Sequence, residues 1–331
     1  MRKRRAILGG MLAAPAIAAT PRRAAAQGPV PGAGGGRPLR LVGGFPPGGS
    51  VDNLARILAP RLQVLLGQTV VVENRPGANG TVALAEVARG PADGGTWMLA
   101  TDSHAIVPGV MPLPYDARRD LAPVILIGQG PLVVTTHPAT PWASFAALVE
   151  DARRRPPGEI TYATAGVGSM MHVSMALLTG MAGVRLTHVP YRGGAPALAD
   201  ALAGHVPLFV TNAPVGGPPL RSGALRGLGV TTRAPSRHLP GIPSFHEMGF
   251  AGFEAPTWWA LLCAAGVPEP ARRRMEEAMA TVLAEPETRA RVEAQGMDVL
   301  ALSGADAARF VDAEFDRWGR VVRENGIRAE S

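Results

Sequence analysis

Residues 39–50 read LRLVGGFPPGGS, and this stretch decides the fold. Leu39–Gly43 fits a short strand, and the run from Gly44 through Phe45, Pro46, Pro47 and Gly48 to Gly49 is a turn. Ser50 is suited to cap a helix, and Leu54, Ile57, Leu58, Leu62 and Leu65 then recur at helical spacing until Gly67. A strand entering a helix through a glycine-rich turn is the repeating unit of an α/β fold. Pro60 falls inside this helix, where loss of an amide donor predicts a kink.

Downstream, Thr69–Glu73 reads as a strand, Asn79–Arg89 as a helix and Thr96–Thr101 as a third strand, completing a βαβαβ unit. A second unit follows. Leu121–Ile127, Pro131–Thr136 and Glu159–Thr164 read as strands around a helix at Ser144–Arg154. A second glycine-rich turn, Ala165 to Ser169, leads into a helix expected to stop at Gly180. A strand at Arg185–Val189, a short helix opening at Tyr191, and strands at Val206–Thr211, Leu225–Thr231 and Thr257–Ala264 come next. From Pro268 the chain reads as three amphipathic helices. The expected architecture is α/β with mostly parallel sheets.

The amino terminus predicts export. Met1–Arg5 is basic, residues 6–19 are apolar and uncharged, and Ala24-Ala25-Ala26 offers a cleavage site before Gln27. The apolar run is shorter than the roughly 18–20 residues needed to span a bilayer. The twin-arginine route is an alternative to the general one, given Arg4-Arg5. Removing residues 1–26 takes away six cations and no acid, and the formal charge falls from +7 to +1. The basic balance therefore gives no ground for nucleic-acid binding. Residues 27–36 form a Gly/Pro-rich flexible lead-in. The single cysteine, Cys263, excludes an intramolecular disulfide and suits a buried core position.

The chemistry sits at the two strand-to-helix turns. Glycines let backbone N–H groups converge, and a helix N-terminus carries a partial positive charge, so each turn suits an anion. Other readings are weaker. A dinucleotide site with Glu73 on a ribose lacks the G-x-G-x-x-G pattern, and Pro46-Pro47 removes two donors. Ser169 and His172 could serve as nucleophile and base, but no acid is placed to orient the histidine and no G-x-S-x-G elbow occurs. The histidines show no metal-ligand spacing, and no metal or cofactor is expected.

Several blocks resemble one family: Phe45 to Ser50 with Asp52, Val71 to Ala78, Leu113 to Asp116, Asp120 to Val124, Tyr162 to Ser169, His188 to Gly193, Leu225 to Thr231 and Trp318-Gly319. In this order they resemble the substrate-binding proteins of tripartite tricarboxylate transporters, the Bug family. The resemblance implies a type II periplasmic-binding, Venus-flytrap architecture with two βαβ lobes joined by two crossing segments. Lobe 1 would comprise 37–127 and 255–331, and lobe 2 would comprise 128–254. It implies a monomeric, periplasmic, non-enzymatic protein. Such a protein captures a small organic carboxylate for a transporter with a large and a small membrane subunit. The alternative partner is a sensor kinase.

Carried over by motif, Phe45, Pro46, Pro47, Gly48, Gly49, Ser50 and Asp52 would form the first-lobe site. Thr164, Gly166, Gly168, Ser169 and His172 would form the second-lobe site, with Ser103, Tyr191 and Asn212 as additions. Backbone N–H donors of both turns and the Ser169 hydroxyl would meet the carboxylate, and Phe45 would form an apolar wall. Departures from the family pattern bear on ligand identity. Gly43-Gly44 precedes Phe45, which predicts a looser first loop, and Pro207 and Thr211-Asn212 replace acidic and Asp-Asn elements.

Overall fold

The computed structural model describes residues 37–328; the expected leader and lead-in lie outside them. Strands β1 (Leu39–Gly43), β2 (Val70–Asn74), β3 (Thr96–Thr101), β4 (Leu121–Gly130), β10 (Thr257–Ala264) and β11 (Asp298–Ser303) form one sheet, in the order β11-β4-β10-β3-β1-β2. Strands β5 (Leu132–Thr136), β6 (Thr161–Thr164), β7 (Thr187–Pro190), β8 (Leu208–Asn212) and β9 (Arg226–Val230) form the other, in the order β7-β6-β8-β5-β9. The chain leaves the first sheet after Gly130 and returns at Thr257, so two crossings join the lobes. The architecture is the expected two-lobed α/β one.

The expectation of mostly parallel sheets needs correction: both sheets are mixed. β1 pairs in parallel with β2 and β3, whereas β10 runs antiparallel to β3 and β4, and β11 runs antiparallel to β4. In the second sheet β6 is parallel to β7 and β8, while β5 is antiparallel to β8 and β9. The strands at the crossings, β4, β5, β9 and β10, supply antiparallel pairings in each sheet. No crossover helix then fixes a parallel sense.

The helices are α1 (Ser50–Leu66), α2 (Thr81–Arg89), α3 (Ser103–Val110), α4 (Phe145–Arg154), α5 (Met170–Ala182), α6 (Gly194–Leu202), α7 (Ala213–Arg221), α8 (Glu269–Ala284), α9 (Pro286–Glu293) and α10 (Gly304–Glu324). α1 runs as one 17-residue element through Pro60, held by Leu54, Leu58 and Leu62 in the first-lobe core. The residue capping α1 is Gly49, without a side-chain bond, and not Ser50. α5 continues through Gly180 to a left-handed Gly183, because Leu178 and Ala182 still bury against the second core. The expected helix from Asn79 begins at Thr81, since Ala78 and Asn79 have positive φ.

β10 is buried along its whole length at the centre of the first sheet. It carries Cys263, whose thiol pKa burial pushes up to about 12. The two lobes share apolar packing on one side: Trp318, Val322 and Ile327, at and beyond the end of α10, join Ile106 and Val110 of α3 in the cluster that holds Leu132, Val134 and Leu208. Glu314 anchors this helix. Its buried Oε2 accepts from Trp258 Nε1 at 2.9 Å and Trp318 Nε1 at 2.8 Å. Glu314→Ala would strand two buried indole donors at about 1–3 kcal/mol each, whereas Glu314→Gln keeps an acceptor. Thermal unfolding should show the alanine variant clearly below the glutamine variant; equal midpoints would contradict this anchoring role.

Candidate functional site

The strand-to-helix connections that form the site lie at the carboxyl ends of strands, where open α/β sheets bind ligands, and the start of antiparallel β10 lies at the same end. Between the lobes they line a cavity that opens to solvent. The first lobe contributes the β1–α1 turn, Asn79, the β3–α3 junction and Thr257; the second contributes the starts of α5, α6 and α7.

Eight of the fifteen residues expected from sequence line this cavity: Phe45, Pro46, Pro47, Gly49, Ser50, Ser103, Ser169 and Asn212. Phe45 also packs on the first-lobe core, which fixes its ring as a wall. Ser50 Oγ accepts from Asn212 Nδ2 at 3.2 Å across the cleft and from Trp259 Nε1 at 3.4 Å within its own lobe. Asn212 meanwhile caps α7 by accepting from Val215 N–H at 3.3 Å. The lobes are therefore in contact through side chains at the cavity itself.

The other seven lie behind this surface. Gly48 donates its N–H to buried Asp52 Oδ2 at 3.0 Å, and Asp52 also accepts from Arg56 Nε at 3.0 Å. Burial works to raise the Asp52 pKa, but the Arg56 and Gly48 hydrogen bonds outweigh it and hold the carboxylate below its usual range. Gly166 N–H goes to Thr164 Oγ1 at 3.2 Å, and Gly168 N–H to His172 Nδ1 at 3.3 Å. These three glycine amides are committed inside their own turns.

Tyr191 donates to Asp200 at 2.6 Å. Thr164 Oγ1 pairs with His188 Nε2 at 2.7 Å, and the His188 ring stacks on His172 with centroids 3.8 Å apart. Burial lowers the pKa of His172 to about 4; burial and then the neighbouring His172 lower that of His188 to about 3. Ser169 donates to Gly166 O at 2.7 Å and caps α5 at His172 N–H, so its hydroxyl serves the turn and not an imidazole base. Glu73, the acid weighed for a ribose, is bound by Arg40 at 2.8 Å and 2.9 Å and by Arg75 at 3.0 Å.

The Gly43-Gly44 pair does not loosen the first loop. A Cβ on Gly44 would lie 2.6 Å from Gly80 Cα, and one on Gly43 2.9 Å from Val51 Cγ1. The pair lets the β1–α1 turn interlock with the turn before α2. That second turn runs left-handed from Gly77 to Gly80, with φ of 148°, 44°, 53° and 89°. Ala78 and Asn79 are non-glycine residues in this conformation, a strain characteristic of functional sites.

The turn presents Asn79, which the sequence reading missed. Both its amide atoms are buried without a partner, and it lines the cavity. Thr211 Oγ1 is likewise buried, unpartnered and at the cavity. Asp102 and Thr257 were missed too. The Asp102 carboxylate accepts from the Thr257 hydroxyl and from the N–H groups of Trp258 and Met170. An asparagine between small residues is a legible sign of a left-handed turn; nothing local marks Asp102, whose partners lie far along the chain.

Five helix N-termini thus meet the cavity, those of α1, α3, α5, α6 and α7, and they differ; α7 is capped by Asn212. α5 is occupied by Ser169 at its cap and by Asp102 at its first amide. α1 and α6 begin at Gly49 and Gly193 without any side-chain cap, and their first residues, Ser50, Val51, Gly194 and Ala195, line the cavity. A Cβ on Gly193 would lie 3.3 Å from Pro46 Cδ, so the two uncapped ends face each other across the cleft. Among the described residues, no Lys, Arg or His lines the cavity.

Residues 54–327 match the family model described as the tripartite tricarboxylate transporter family receptor. The chain is 35% identical over 302 residues to protein BugT of Bordetella pertussis, covering 88% of this chain and 90% of that protein. Among solved structures, an R. palustris protein with adipate aligns with a TM-score of 0.84 at 34% identity, over 88% of this chain and 99% of the other. The periplasmic binding protein BugD aligns at 0.82 and 29%, over 88% and 99%. MatC from Rhodopseudomonas palustris, with bound malate, aligns at 0.80 and 27%, over 86% and 99%. The chain belongs to the tripartite tricarboxylate transporter receptor family.

Proposed function

We propose that this family member is an exported, periplasmic solute-binding protein that captures a small organic carboxylate between its lobes. It delivers the solute to a tripartite tricarboxylate-type transporter with a large and a small membrane subunit. The observation that carries the reading is the pair of uncapped helix N-termini, α1 and α6, that line one cavity from opposite lobes. Their orphan amides and dipoles attract an anion without any cationic side chain. The adipate and malate bound by two structural relatives support a carboxylate as that anion.

Capture follows from geometry. A carboxylate held by amides of both lobes gains its full set of contacts only when the cleft is closed. Ligand therefore shifts the open–closed equilibrium by the difference in affinity between the two states. The Ser50–Asn212 hydrogen bond spans the same gap and supports that closed state.

A thermal-shift screen of mono-, di- and tricarboxylates tests the reading. A ligand at about 100 times its Kd adds about 2.7 kcal/mol to the native state. At about 2–4 °C per kcal/mol for a chain of this size, the midpoint should rise by roughly 5–10 °C. A sugar, nucleobase or peptide that shifts the midpoint while every carboxylate is silent would overturn it.

A further inference from the structure

We propose that the cleft selects singly charged carboxylates, with the one carboxylate at the uncapped ends of α1 and α6 and an uncharged polar group facing Asp102 and Asn79. The inference rests on the carboxylate reading above and narrows it. Among the described residues, Asp102 is the only charged side chain lining the cavity, and it is an acid. Its carboxylate is 3% exposed as a residue and is surrounded by donors: the Thr257 hydroxyl and the amides of Trp258 and Met170. Burial pushes its pKa up to about 6 against the pull of these donors, which still leaves the carboxylate ionised at pH 7.5.

Met170 is the first residue of α5, so Asp102, reaching across from the first lobe, fills the anion position that this helix would otherwise offer a ligand. A second carboxylate at this end would meet a like charge with no cationic side chain to offset either. Like-charge juxtaposition in a partly desolvated site is strongly unfavourable.

The neutral groups nearby are built for the opposite kind of ligand. Asn79 offers a donor nitrogen and an acceptor oxygen, both buried and both without a partner. A Cβ on Gly166 would come within 3.8 Å of Asn79 Oδ1, which places the amide beside the turn leading into α5. A primary amide or hydroxyl on the ligand could satisfy both atoms, whereas a carboxylate could use only the donor. Thr211, 0% exposed with its Oγ1 unpartnered, adds a second neutral hydroxyl to the same cavity.

The test compares ligands of one shape and different charge by calorimetry at pH 7.5: adipate, its monoamide adipamate and its diamide adipamide, with the succinate series beside them. The monoamide should bind at least about tenfold tighter than the diacid, a gap of about 1.4 kcal/mol. Asp102→Asn should narrow that gap by improving the diacid. A wild-type protein that binds the diacid as tightly as the monoamide overturns the inference while leaving the carboxylate reading intact. Binding of the diamides alone would do the reverse, removing the carboxylate and keeping the exclusion of a second charge. No binding by any of the six at millimolar concentration would overturn both.

Discussion

Gly44→Ala should weaken capture of any cleft ligand by about 10- to 100-fold, the equivalent of the roughly 1–3 kcal/mol that overpacking a tight site costs. The new Cβ would stand 2.6 Å from Gly80 Cα and 3.2 Å from Gly80 O. Both are backbone atoms, so no side chain can swing aside. Relief requires moving the β1–α1 turn or the Gly77–Gly80 turn, and these carry Phe45, Ser50 and Asn79 at the cavity. Gly48→Ala is the informative control. Its Cβ would meet nothing within 4 Å, and its N–H already serves Asp52, so only the φ of 81° is strained. Calorimetry and thermal melts on both variants should rank Gly44→Ala as far the more damaging. Equal effects would mean that the interlock between the two turns does not set the site.

Acid should destabilise the protein between about pH 6.5 and pH 4, before most carboxylates titrate. Burial lowers the pKa of His172 to about 4 and that of His104 to about 3; for His188 burial and then His172 lower it to about 3. In this window the unfolded chain binds three protons that the native state refuses, so stability is lost as pH falls. Asp102 works against the trend. Desolvation outweighs its hydrogen bonds and raises its pKa to about 6, so the native state takes up one proton that the unfolded chain does not yet bind.

The net of two protons gives a slope of at most about 2.7 kcal/mol per pH unit. Urea denaturation at pH 7.5, 6, 5 and 4.5 should show the midpoint falling steadily. His172→Gln with His188→Gln should flatten that fall, because the stacked pair at 3.8 Å contributes two of the three refused protons. An unchanged wild-type midpoint, or an equally steep fall in the double variant, would contradict this assignment.

The fold was legible wherever sequence pattern and local structure share a cause. β1 and β10 appear at Leu39–Gly43 and Thr257–Ala264, the spans expected from their β-favouring apolar runs. α3 and α7 were not legible. SHAIVPGV is apolar all round with Pro108 inside it, and APVGGPPLR is a run that reads as loop until Asn212 caps it. β11 was hidden because DVLALS is short and only part-buried, pairing at the sheet edge with β4. Strand sense escaped for a different reason: the antiparallel partners at the crossings are far apart in sequence.

The site divides in the same way. Glycine-rich turns announced where anions could bind, and six of their residues line the cavity, joined by Ser103 and Asn212, which the family resemblance supplied. Which amides remain free could not be read, because that depends on Asp52 closing on Gly48, His172 on Gly168 and Asp102 on Met170. The first two capture the glycine amides assigned to the ligand. The third comes from the opposite lobe and leaves the open position at α6.

The most direct measurement is a crystal structure of the mature protein with the tightest-binding carboxylate from the screen. The ligand should lie in the inter-lobe cavity, one carboxylate within about 3 Å of backbone N–H groups at the start of α1 and at the start of α6. A ligand seated outside the cleft, or inside it with its carboxylate touching neither helix end, would contradict the account.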